Sequence, residues 1–292
     1  MKIGLMLPQS ATDGDGGSWA EIAALARQAE DGGADSVWLS DHFFYRADDA
    51  PIGSETGYFE PWTLLSALAA ITTRVELGTL VLATSFRPAG LLAKMAATAD
   101  EVAGGRLVLG LGCGWHEPEF EAFGYPFDHR VGRFEEALRI IVPLLRGERV
   151  TSGGTWQDVR DAAILPAPPR PDLPIHVAAK GERMMRLTAE LADAWQTAWF
   201  GLPDDRYRGR RRDILAACEQ VGRDPATLEV TVGVDVGEGS TAADASDLDA
   251  DAIARAFEAW HGEGVGHLQV AIPTATGATF GVVLEAIRRF RG

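Results

Sequence analysis

The feature that most constrains this chain is a rhythm. Short apolar runs alternate with Ala-rich stretches of helical period, eight times in order. The runs are Ile3 to Leu7, Ser36 to Leu39, Val75 to Leu82, Arg106 to Leu111, Pro174 to Ala178, Trp195 to Thr197, Leu228 to Val234 and His267 to Ala271. A helical pattern follows each. The first, Trp19 to Asp31, opens on Ser18 with Glu21 three residues on, a capping signature. Eight strand–helix units predict a single α/β domain, a closed (β/α)8 (TIM) barrel over residues 1–292. An open doubly wound sheet is the other reading of the same rhythm. Runs such as Val108 to Leu111 need not alternate in polarity, because helices cover both faces of a parallel sheet.

Two stretches break the rhythm. Residues 148–173 carry Gly153-Gly154, Trp156 and prolines 166, 168, 169 and 171. They are too long for an ordinary connection and read as an insertion between the fourth helix and the fifth strand. The insertion is either a lid over the barrel mouth or a surface hairpin with a Pro-rich return. Residues 237–251, after the seventh strand, are small and acidic.

Charge and cysteine content exclude several classes. The net charge is −15, so a phosphate backbone is repelled and nucleic acid is not an expected partner. Two cysteines, Cys113 and Cys218, make no disulfide framework. No apolar run reaches the length of a membrane span, and the first residues read as a strand rather than a signal peptide. A cytoplasmic location is the expectation. A metal-dependent barrel hydrolase commonly needs His-x-His at the end of the first strand. Here that strand ends in Leu7-Pro8-Gln9, and no metal is expected.

Barrel chemistry sits where strands end, which selects four places. Asp41-His42 follows the second strand. A carboxylate and an imidazole there either bind and polarise a ring or form a polar pair at a strand edge. Gly112-Cys113-Gly114 ends the fourth strand. Its glycines permit close backbone approach, but Trp115 stands where a dinucleotide fingerprint needs its last glycine. Ala179-Lys180-Gly181-Glu182 joins the fifth strand to a helix, and its free N–H groups suit a phosphate. Leu80, Val81 and Ala83 belong to the third strand, by itself only a buried strand. Arg206, Arg208 and Arg210 to Arg212 form a basic run: a solvated helix face, or a contact for an acidic cofactor tail. Trp38, Trp62 and His176 read as core.

Together these places resemble the bacterial-luciferase-like monooxygenase superfamily, and within it the coenzyme F420-dependent (deazaflavin) oxidoreductases. The similar stretches are AEDGGADSVWLSDHFF, the run from Glu60 to Gly124, DHRVGRFEEALRII and AAKGERMMRLTAELADAW. The resemblance implies that Asp41 contacts the ring and that His42 acts as acid–base partner near the redox carbon. It implies a non-proline cis peptide at Leu80–Val81 behind the ring. Gly112, Cys113 and Gly114 would line the pocket, and Ala179 to Glu182 would hold the phosphate. The implied activity is hydride transfer between coenzyme F420 and a small-molecule substrate, by a homodimer. An FMN-dependent two-component monooxygenase of the same fold is the alternative. The chain departs from some deazaflavin dehydrogenases at two points: Phe43 and Phe44 replace a Trp, and Trp115 replaces a Glu. The second departure argues against a sugar-phosphate dehydrogenase of that type.

Overall fold

The computed structural model describes residues 1–10, 17–47, 50–236, 248–272 and 274–292. Most of the acidic stretch 237–251 thus lies outside the described residues. The chain begins with β1 (Lys2–Met6), α1 (Trp19–Asp31) and β2 (Ser36–Leu39). A small hairpin, β3 (Phe44–Tyr45) and β4 (Thr56–Gly57), precedes α2 (Pro61–Ile71). Then come β5 (Glu76–Thr79), β6 (Leu82–Ala83), α3 (Ala89–Val102) and β7 (Leu107–Gly112). Helices α4 (Glu117–Phe123) and α5 (Arg130–Leu145) lead to a second hairpin, β8 (Val150–Gly153) and β9 (Asp158–Ala162). The last third alternates: β10 (Ile175–Ala178), α6 (Glu182–Leu191), β11 (Ala194–Phe200), α7 (Asp205–Val221), β12 (Glu229–Asp235), α8 (Ala250–Gly262), β13 (His267–Ala271), α9 (Gly277–Arg291).

Strands β1, β2, β5, β7, β10, β11, β12 and β13 pair in parallel, and β13 returns to β1. Pairing of β7 with β10 completes the ring, so the sheet is a closed (β/α)8 barrel and not an open one. The expected third strand is two pieces. β5 stops at Thr79 and β6 resumes at Leu82, with a cis peptide at Leu80–Val81 between them.

The barrel interior explains several glycines. Trp38 is fully buried there, and its indole lies where side chains of neighbouring strands would stand. A Cβ on Gly78 would meet the Trp38 ring at 2.3 Å, and one on Gly4 would meet Ser36 Oγ at 2.0 Å. The indole N–H donates to Ser36 Oγ, which bonds His267 Nε2, each at 2.7 Å. One large ring is thus seated between two residues without side chains. This large–small pairing fills a barrel interior without voids.

Within residues 148–173, β8 and β9 form a hairpin held against α5. Glu136 of α5 accepts the amides of Thr155, Trp156 and Gln157. Trp156 packs on Gly132, and Arg170 pairs with the buried Asp100 at 2.9 Å. Among the described residues, no helix is long and apolar enough to cross a membrane.

Candidate active site

Gln9, just beyond β1, fixes the turn after β2. Its Nε2 donates to the carbonyls of Ser40 and Phe59, at 2.9 and 3.1 Å, and the Ser40 amide donates to its Oε1. Asp41 and His42 follow. The Asp41 side chain is wholly buried. Its Oδ2 accepts the Ala83 amide and Arg87 Nη1, both at 2.8 Å, and Oδ1 accepts Arg87 Nη2 at 3.1 Å. Arg87 also reaches Glu60 Oε1 at 2.6 Å. Both Asp41 oxygens are therefore committed, and the carboxylate ties the end of β2 to β6. Asp41 still lines the cavity of the site, where the resemblance implies a contact with the ring.

His42 is held from below. Its Nδ1 lies 2.9 Å from Oε2 of Glu119, a residue only 1% exposed. The other Glu119 oxygen accepts the amides of Phe43 and Phe44. With Glu119 accepting as a carboxylate, Nδ1 is the nitrogen that donates, and Nε2 is left for a ligand. Rings surround it: Tyr58 at 5.8 Å, Trp115 at 5.7 Å and His116 at 6.2 Å between centroids. Glu119 stands on α4, a short helix running into Gly124 in the left-handed region at φ 76°. Sequence reasoning missed both helix and residue.

The glycines of β7 have a packing cause. β7 runs beside the break between β5 and β6. A Cβ on Gly110 would stand 1.8 Å from the Thr79 carbonyl oxygen, and one on Gly112 would stand 2.7 Å from Val81 Cγ2. Burial pushes the Cys113 thiol above its ordinary range, which argues against a thiolate nucleophile.

The opposite end of the site is cationic. No side chain caps α6, and its first N–H groups have no acceptor within the helix. A Cβ on Gly181 would meet nothing within 4 Å. Lys180 lies beside this helix start. Burial and then the charges of Arg210 and Arg206 pull its ammonium below the usual range. Arg210 donates to Thr197 Oγ1 and the Ala198 carbonyl, and Arg206 donates to the Trp199 carbonyl. Among the described residues, the carboxylate nearest this cluster is Asp204, 3.6 Å from Arg206. Crowded cations at a helix N-terminus form an anion site.

One cavity of about 650 Å³ joins these features. Asp41, His42, Leu80, Val81, Ala83, Gly112, Cys113, Gly114, Ala179, Lys180 and Gly181 all line it. Glu182 does not; it is the first residue of α6. Glu119, Trp115, Trp199 and Arg130 line it as well. No residue of 148–173 does. Among the described residues, no three His, Cys, Asp or Glu side chains gather as a metal set.

Comparison with known proteins follows the same lines. An F420-dependent glucose-6-phosphate dehydrogenase of Kineococcus radiotolerans is 38% identical over 226 residues, 74% of this chain and 64% of the relative. A 5,10-methylenetetrahydromethanopterin reductase of Methanolobus tindarius is 30% identical over 72% of this chain and 59% of its own length. The chain thus spans less than two thirds of these relatives. Among solved structures, an F420-dependent secondary alcohol dehydrogenase with an F420–acetone adduct superposes at TM-score 0.80. It has 17% identity and covers 100% of this chain and 99% of its own. A riboflavin lyase with modified FMN superposes at 0.81 with 15% identity, covering 100% of this chain and 91% of its own. At such identities the likeness speaks for the fold. The profile of the luciferase-like monooxygenases matches residues 1–276, and the chain belongs to that family.

Proposed function

We propose that this protein is an oxidoreductase that moves hydride between coenzyme F420 and a small organic alcohol or carbonyl compound. One observation carries the reading. A single cavity joins His42, held at Nδ1 by a buried carboxylate, to an uncapped helix N-terminus with Lys180 beside it. The names of the relatives support the deazaflavin: two that are 38% and 39% identical are F420-dependent by name.

The residues present fit such a group. The amides at the start of α6, with Lys180, would hold its phosphate. The Leu80–Val81 segment, Gly112 and Gly114 would back its ring. When bound, the deazaflavin gives or takes the hydride; carbon replaces the flavin's reactive nitrogen, which favours two-electron chemistry over reaction with oxygen. The protein's share is binding, orientation and the proton. His42 Nε2 takes the proton of a substrate hydroxyl in the oxidative direction and returns one to a carbonyl oxygen in the reductive direction. Glu119 fixes the ring tautomer and stabilises the imidazolium between those events. The homodimer and the cytoplasmic location belong to the same proposal.

Parallel titration of the purified protein with coenzyme F420 and with FMN tests the cofactor. We expect saturable binding of F420, weakened when Gly181 is replaced by Leu, whose side chain would enter the open cavity. Tight FMN binding without F420 binding would replace this reading with the two-component monooxygenase.

A further inference from the structure

The two ends of the cavity differ in charge, and that difference bears on the substrate. Lys180 stands at the α6 end. At the other end the nearby guanidinium groups already have partners. Arg46 pairs with Glu55 at 2.8 Å. Arg130 donates to the Gly114 carbonyl at 2.7 Å and lies over the Phe127 ring at 4.0 Å. Arg87 is shared between Asp41 and Glu60. The residues outside the described set contain no Lys, Arg or His, so they add no cation.

What this end does offer is aromatic surface and negative charge. Trp115 is 60% exposed, yet its ring meets His42 edge-on at 5.7 Å. It forms the wall between the main cavity and a second one of about 400 Å³. Glu117 and Glu121 line that second cavity, and neither has a cationic partner among the described residues. An exposed indole beside the acid–base group is a stacking platform for a flat ligand. Unpaired carboxylates beside it repel an anion.

Resting on the oxidoreductase reading, we infer that the His42 end takes an uncharged, flat aromatic alcohol or ketone stacked on Trp115, that it rejects sugar phosphates, and that Trp115 determines this specificity. This parts company with the glucose-6-phosphate dehydrogenases that the chain resembles in sequence. A phosphorylated substrate would need a cation free to turn to it near His42; Arg46 and Arg87 are held by carboxylates, and Arg130 is turned to the Gly114 carbonyl and the Phe127 ring.

The test is a binding measurement that needs no turnover. Saturation-transfer NMR on protein loaded with the cofactor it binds would be run with acetophenone, 1-phenylethanol and glucose 6-phosphate. We expect the two aromatic compounds to bind and to compete with each other, and glucose 6-phosphate not to displace them. Trp115→Ala should weaken acetophenone roughly tenfold, and Trp115→Phe should restore most of the loss. Displacement of acetophenone by equimolar glucose 6-phosphate would overturn the inference. So would unchanged acetophenone affinity in Trp115→Ala. Trp115-dependent acetophenone binding in a protein that takes up neither F420 nor FMN would sink the oxidoreductase reading alone. Cofactor binding without aromatic preference would sink the substrate class alone.

Discussion

At the scale of single residues, His42 and Glu119 act as a unit. Proton transfer by a positioned side chain contributes about 10²–10⁴-fold, so His42→Ala should cut kcat within that range. Glu119→Gln keeps the size of the side chain and removes the charge that steadies an imidazolium. It should lower kcat roughly ten- to a hundredfold and leave KM nearly as it was. A Glu119→Gln enzyme with native kcat would reduce Glu119 to packing. The neighbouring Asp41 belongs to a different task. With its side chain sealed and paired to Arg87, its removal would leave the buried guanidinium with Glu60 alone, and the loss would be one of folding before one of chemistry.

At the scale of elements, the barrel interior is filled by exchange between neighbours. The Trp38 indole occupies the space that β1 and β5 leave at Gly4 and Gly78. Gly78→Ala therefore overpacks the interior, and urea unfolding should register a loss of about 1–3 kcal/mol. An unchanged midpoint would mean that the ring has room to retreat. The barrel helices were legible because each carries its period over ten or more residues, and the strands because they are the short apolar runs between them. Helix α4 was not, at seven residues. Its local marks were present: Pro118 near the start and Gly124 just past the end. Glu119 itself was beyond local reading, since its bond to His42 spans 77 positions. The same holds for Asp41 and Arg87, 46 apart: the sequence places a carboxylate at a strand end but not the guanidinium that occupies it. The third strand read as continuous because Leu80 and Val81 are as apolar as their neighbours; only the resemblance pointed to a break there.

At the scale of the whole molecule, two buried histidines tie stability to pH. Burial holds the His176 ring down to about 3, with Lys2 adding to the effect, and holds His267 well below its ordinary value. Unfolded, each ring binds a proton near pH 6.5. Below that point the unfolded chain carries the extra protons, so stability is full above about 6.5 and falls as the pH drops towards 3. The slope is on the order of 1 kcal/mol per pH unit for each ring. Burial pushes the Glu229 carboxyl up, which acts in the opposite sense just above its ordinary value. The histidine slope is therefore read between about 6.5 and 5.5. Urea midpoints should fall across that window and fall less in His176→Gln; a flat midpoint would show that these rings take up protons without unfolding. One last feature reaches beyond this chain. Gln9 grips Ser40 and Phe59 with one amide group, and Arg87 bridges Asp41 to Glu60. The segment between these posts, residues 43–59, starts and ends at anchors that do not depend on its own sequence. Grafts from relatives at this position would carry new mouths onto the same barrel wherever they keep a ring at Phe43 to seat on Phe86 and Phe123 and one at Tyr58 beside His42.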